Sequence, residues 1–231
     1  MRRMGYETVV LMTAITIGCN RNDRTTPAAN SGGEPSAVAT SGTDRSNVSK
    51  ADQDFVQDAA VANMAEIELG KIAIERATNP EVKRFGQMMI DDHTKAGDAL
   101  KAMASQRSIP VPSALDDKHN DLRARLAKRS AGDFDREYIG AMVDGHQAFV
   151  DKLEWRVDRV KLAEWKEQMA DRVAKTKVEE RAEAIAVVPE KSDNPMTMSI
   201  NQWAADTYPV AVAHLTAAKT INAGLKNRTT N

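Results

Sequence analysis

The chain has a single cysteine, Cys19, in 231 residues. That excludes an intramolecular disulfide framework and any cysteine-rich zinc or iron–sulfur site. Aromatic residues are few, 4 Phe, 3 Trp and 3 Tyr, against 35 Ala and 11 Met, a balance that favours close-packed helices over strands. Charge of one sign is missing as well. With 32 Lys plus Arg and 33 Asp plus Glu the net charge is −1, so no basic excess is left to hold a phosphate backbone and nucleic acid is not an expected partner. No glycine-rich phosphate loop, G-x-S-x-G elbow or H-E-x-x-H pair occurs. The strong enzyme signatures are therefore absent, and no catalytic residue is assigned. Any chemistry has to be done by His, Asp and Glu.

The N-terminus reads as an address. Arg2 and Arg3 precede an apolar run from Thr8 to Ile17, which closes on Gly18-Cys19. This is the layout of a secretory signal peptide, too short to span a bilayer comfortably. The lone cysteine at its end resembles the lipobox of bacterial lipoproteins, in which that residue is lipidated and becomes the first of the mature chain. Cys19 is thus the expected lipidation site, with a simple cleaved signal or an uncleaved anchor as alternatives. Residues 20–50 have no aromatic side chain and an excess of Ser, Thr, Asn, Gly and Pro. Such a segment cannot bury enough surface to offset its ordering entropy. As a coil it would reach roughly 30 Å, the length of a membrane tether. The expected location is the periplasm, bound to a membrane through the lipid, the outer membrane before the inner.

From residue 51 onward apolar and small residues recur at three and four. Phe55, Val56, Ala59, Ala62, Leu69, Ile72 and Ala73 mark a first helix, capped by Ser49 or Asp52. It stops at Thr78-Asn79-Pro80-Glu81, where Asn79 serves as N-cap and Pro80 as first residue of a second helix. That helix carries Val82, Phe85, Met89, Leu100 and Met103 and ends at Ile109-Pro110-Val111-Pro112. A weaker helix is expected over about 113–129. A third long helix follows the stop-and-cap pair Gly132-Asp133 and includes Phe134, Tyr138, Met142, Phe149 and Leu153. The charge-rich stretch 155–202 reads as a helical insert with a break and a solvated face, its end (187–200) as loop. A last helix is expected from near Trp203 or Pro209 through Leu225. The expected class is all-α, an antiparallel four-helix bundle with a short extra helix, over 51–226.

Three of the four histidines fall on the apolar faces. His93 follows Met89 by four, His146 follows Met142 by four, and His214 precedes Ala218 by four. Asp92 shares the inward arc of its helix, and Glu66 lies between Ala62 and Leu69. Glu66 is 13 residues before Asn79 and His93 is 13 after Pro80, so both stand about 20 Å from the corner. If the third long helix starts at Asp133, His146 is again 13 residues in. A polar layer of Glu66, Asp92, His93, His146 and His214 is expected in mid-bundle. It can be a hydrogen-bonded core layer, a site for one divalent metal ion, or an acid–base site. His119, among Asp116, Asp117 and Asn120, reads as a surface residue. Met88, Met89, Met103 and Met196-x-Met198 read as core filler before copper ligands.

The stretches AEIELGKIAIERATNPEVKRFGQMMIDDHTKAGDALK, FDREYIGAMVDGHQAFVDKLE and TYPVAVAHLTAAK resemble the domain of unknown function 4142 family. The resemblance spans about 52–226. It implies the ferritin-like four-helix class, export and an outer-membrane association, without an established activity. A dinuclear carboxylate centre of the ferritin kind uses Glu-x-x-His, but Ile90, Val143 and Ala211 stand three residues before His93, His146 and His214. The sequence therefore points to an exported envelope lipoprotein with a binding or structural role. The alternative is a mononuclear metal-binding protein or metal-dependent oxidoreductase.

Overall fold

A computed structural model describes residues 48–175 and 186–227. The signal-like segment, Cys19 and nearly all of the tether lie outside them. Among the described residues there are six α-helices, and the sole β pairing is an isolated antiparallel bridge between Val157 and Pro189. None of these helices is long and apolar enough to cross a membrane.

Helix α1 (Lys50–Arg76) starts at Ser49, whose hydroxyl accepts from the Asp52 amide at 3.0 Å. Helix α2 (Pro80–Gln106) starts at Asn79, whose side chain accepts from the Glu81 amide at 2.8 Å. Ala77, Thr78 and Asn79 leave room for little but a tight antiparallel turn. Asp135, from a later helix, reinforces that turn. Its buried carboxylate accepts from the amides of Thr78 (3.1 Å) and Asn79 (2.9 Å) and from the Thr78 hydroxyl (2.6 Å). Down the hairpin, Gly70 and Gly86 let the two backbones touch. A Cβ on Gly86 would stand 2.9 Å from the Ala73 Cβ and 3.0 Å from the Gly70 carbonyl oxygen. Gly86→Ala is expected to lower stability by about 1–3 kcal/mol, measurable by urea unfolding, because backbone rather than a flexible side chain has to give way.

Helix α3 (Asp117–Ala127) is shorter than the expected 113–129, capped by Asp116 through the His119 amide at 2.9 Å. Helix α4 (Ala131–Glu154) begins at Ser130, two residues before the expected Gly132-Asp133 signal. There Asp133 lies inside the first turn and accepts from the Ser130 hydroxyl at 2.6 Å. The chain breaks at 155–158 and resumes as α5 (Arg159–Lys175). Leu162 and Trp165 are buried, with Trp165 edge-on to Tyr208 at 5.5 Å, so the charge-rich insert contributes a core stripe as well as a solvated face. Helix α6 (Pro195–Asn227) starts well before Trp203 and takes in part of the expected loop. The reason is a cap: the Asn194 side chain accepts from the Met196 and Thr197 amides (2.8 and 3.2 Å), repeating the Asn-Pro signal of Asn79-Pro80. Pro209 lies within the helix.

Helices α1 and α2 pack along each other, as do α4 and α6, with fewer contacts between the two pairs. Cross-links fix the directions. On α1, Asp58 meets Lys152 and Glu66 meets His146 of α4; on α2, Asp92 meets His214 and the Ala96 carbonyl meets Trp203 of α6. Each adjacent pair is thus antiparallel, and α2 and α4 run parallel on a diagonal. The link between them has to travel back the length of the bundle. It does so along α1, touching Gln57 through the Pro110 carbonyl and Arg76 through the Arg129 carbonyl, and it carries α3. At one end Asp52 ties three segments together, accepting from Arg156 and from the Thr197 hydroxyl (2.7 Å). Burial would raise its carboxyl pKa, but these hydrogen bonds outweigh burial and hold it low.

Candidate metal centre

His93 projects from α2, His146 from α4 and His214 from α6 into one point of the bundle. Their ring centroids are 5.7 Å (93–146), 5.5 Å (93–214) and 5.3 Å (146–214) apart. One ring nitrogen of each lies within 4.8 Å of those of the other two.

Partners on the outer side of each ring fix the proton. The Asn63 side-chain amide donates to the Ala59 carbonyl at 2.8 Å, which turns Asn63 Oδ1 toward His93 as an acceptor. His93 Nδ1 therefore donates to it (3.0 Å) and Nε2 keeps the lone pair. His146 Nδ1 donates to the Met142 carbonyl at 2.9 Å, again leaving Nε2 bare. His214 Nε2 donates to Asp92 Oδ2 at 3.0 Å, leaving Nδ1. The Asp92 carboxylate in turn faces Lys95 at 3.4 Å. Three imidazoles thus present three lone pairs, each held in orientation by an oxygen behind it. This is the outer-shell arrangement that ligating histidines use.

At His93 and His214 electrostatics favour the neutral ring that ligation needs. Burial pushes His93 down to about 3, helped by the neighbouring His146 and His214 rings. Burial also lowers His214, against the pull of Asp92. Glu66 is raised by burial, with His146 and then His119 opposing. Among the described residues five buried side-chain polar atoms have no hydrogen-bond partner. Four of them, His93 Nε2, His146 Nε2, Glu66 Oε2 and the Tyr138 hydroxyl, belong to this region. Native cores leave few such atoms unpaired, so their convergence calls for an account.

Three of the five expected layer residues, the histidines, come together. Asp92 stands behind His214 rather than beside the shared point. Glu66 lies on the Nδ1 side of His146, 3.8 Å away, and faces a cavity between α1 and α4. That cavity measures about 810 Å³ and includes Asn63, Glu66, His93, His119, Gly145 and His146 among its lining. His119, expected at the surface, is half-buried, bonded to Asp116 at 2.6 Å and turned toward this cavity. Asn63 and Tyr138 were not singled out from the sequence. A signal existed for Asn63, a buried amide four residues after Ala59 on an apolar stripe, but none for the hydroxyl of Tyr138, which reads as ordinary core.

A family model described as a domain of unknown function (DUF4142) matches residues 37–177, more than half of the chain. The chain belongs to the DUF4142 family. Within the matched span lie α1 to α5 with Asn63, Asp92, His93 and His146, whereas α6 with His214 lies outside it. No curated protein and no solved structure matches the chain. Gly140 of α4 lines the cavity, and a Cβ there would meet no atom within 4 Å. Gly140→Ala is expected to raise stability by about 0.5–1 kcal/mol, seen as a shifted urea midpoint, because it narrows the unfolded ensemble without a clash.

Proposed function

We propose that this DUF4142 protein binds one divalent transition-metal ion through His93 Nε2, His146 Nε2 and His214 Nδ1, with a fourth position left open. The observation that carries the reading is the set of three convergent lone pairs, each ring fixed from behind by Asn63, the Met142 carbonyl or Asp92. With metal–nitrogen bonds of about 2.0–2.1 Å, a tetrahedral centre would set ring centroids about 5.2 Å apart. The observed 5.3–5.7 Å is close to that spacing. Zinc suits such a set, and imidazole also accepts copper, iron and nickel. A layer built solely to fix helix register would pair its nitrogens with one another, which the two bare Nε2 atoms do not do.

The bundle is of the ferritin-like class in this reading. The support is its topology, two antiparallel pairs joined by one long crossover between parallel helices. The whole is an exported envelope lipoprotein carried on Cys19. Metal analysis of the purified chain tests the reading: one zinc or cobalt ion per chain is expected after loading and dialysis, and none for the His93→Ala, His146→Ala double variant. Wild type without stoichiometric metal, while folded, would sink it. For the anchor, Cys19→Ser should move the protein from the membrane fraction to the soluble one.

A further inference from the structure

The histidines leave two buried atoms of the region without a role, Glu66 Oε2 and the Tyr138 hydroxyl. Glu66 Oε2 is sealed in and without a partner, while the rest of the side chain lines a cavity large enough for a small organic molecule. The opposite wall is open at this height because residue 145 is glycine. A Cβ there would stand 3.8 Å from Glu66 Oε1. Along the seam the walls are apolar, with Phe55, Ala59 and Ala62 to one side of Glu66, Leu69 to the other, and Ala141 and Phe149 across from them.

Charge narrows the class of occupant. Two of the cations at the rim are already paired, Arg125 with Glu137 at 2.6 Å and Lys152 with Asp58 at 2.6 Å. Lys118 stands in the field of Asp116. Glu66, at the floor, has no cation within ion-pair distance other than the His146 ring, and that ring donates to the Met142 carbonyl. The cavity therefore offers an acceptor at its base and carbon along its sides, with no free cation beside Glu66 to receive an anion.

We propose that this cavity is a binding site for a small organic amine, its N–H donor on Glu66 Oε1 beside Gly145 and its hydrocarbon body along the α1–α4 seam. The site does not depend on the metal reading, since neither Glu66 nor the seam supplies one of the three ligating nitrogens. An amine would give the Glu66 carboxylate the charge-assisted donor that no side chain supplies within hydrogen-bond distance. A carboxylate of the same shape would meet the acid head-on, and an alcohol would supply a single, weaker donor.

The test is calorimetric titration of the full, chelator-treated chain with three isosteric probes: 4-phenylbutylamine, 4-phenylbutanol and 4-phenylbutyrate. The amine is expected to bind with a dissociation constant below about 1 mM. The alcohol should be weaker by about ten-fold or more and the acid should not bind. Glu66→Gln, which keeps the shape, should weaken the amine by about ten-fold, and Gly145→Leu, which fills the space beside Glu66, should abolish it. Both variants are to be checked for unchanged helicity. If no probe binds, if the acid binds as tightly as the amine, or if both variants keep wild-type affinity, the proposal is overturned. Using metal-free protein keeps this outcome separate from the zinc stoichiometry measured above.

Discussion

His93→Ala is expected to weaken zinc binding by about 10²–10³-fold. Tetrahedral structural zinc sites hold about 10–16 kcal/mol over four ligands, or about 2.5–4 kcal/mol for each. Removing one of three imidazoles should lose that share, and the same is expected for His146→Ala and His214→Ala. The residues behind the rings should matter less, in order. Asp92→Asn and Asn63→Leu leave the ligating atoms in place but release the orientation of His214 and His93, so a loss of about 10–100-fold is expected for each. His119→Ala should have no effect, because that ring is bonded to Asp116, the N-cap of α3. A competition titration against a chromogenic chelator reads all of these on one scale. Equal losses across the ligands, the residues behind them and His119 would mean that global unfolding, not coordination, is being measured.

Metal-free protein should lose stability steeply in acid. His93 has its pKa pushed from 6.5 to about 3 by burial. Below pH 6.5 the unfolded chain takes up a proton that the folded chain refuses, so stability is complete above that pH and falls as pH drops toward 3. At 1.36 kcal/mol per pH unit, His93 alone would withdraw about 3–5 kcal/mol across that window. His214 is shifted in the same direction. Glu66 acts the other way, since its raised pKa makes the folded state lose ground as pH rises above 4.5 and the unfolded carboxyl ionises. The net curve should therefore show the histidine loss most cleanly below pH 4.5, where Glu66 is protonated in both states. Urea unfolding at a series of pH values checks this, and His93→Gln should flatten the curve. A wild-type free energy that does not change between pH 6.5 and 3.5 would contradict the burial described for His93.

Much of the architecture could be read from local chemistry, because the decisive signals are short. Asn79-Pro80 and Ser49 announce two helix starts through side chains that satisfy free amides. The apolar spacing around them tells which face turns inward. The last helix starts earlier than its apolar spacing suggests, for the same reason in reverse. Asn194-Pro195 carries the identical cap, but the residues after it, Met196 to Gln202, hold too many polar groups to look like a buried helix. What the sequence could not convey is which partner lies behind each inward residue. Counting from the Asn79-Pro80 corner put Glu66 and His93 at one level. It could not show that Asn63, one turn earlier, is what His93 bonds, or that Glu66 is separated from the shared point by the ring of His146. Those facts depend on how α1 is rotated against α4, and that rotation is set by packing distributed over the whole seam. His119 illustrates the same limit, since only the path of the crossover along α1 turns it toward the cavity.

The sparse contact between the α1–α2 and α4–α6 pairs bears on how the molecule responds to its ion. His93 belongs to one pair, His146 and His214 to the other. An ion held by all three is a clasp across the weaker seam, the same seam that contains the cavity. Loading should quieten the breathing of the two halves, slowing hydrogen exchange at the amides facing the seam while leaving those within each pair little changed. Occupancy of the histidines would then set how readily anything enters or leaves beside Glu66, with no rearrangement of the helices themselves.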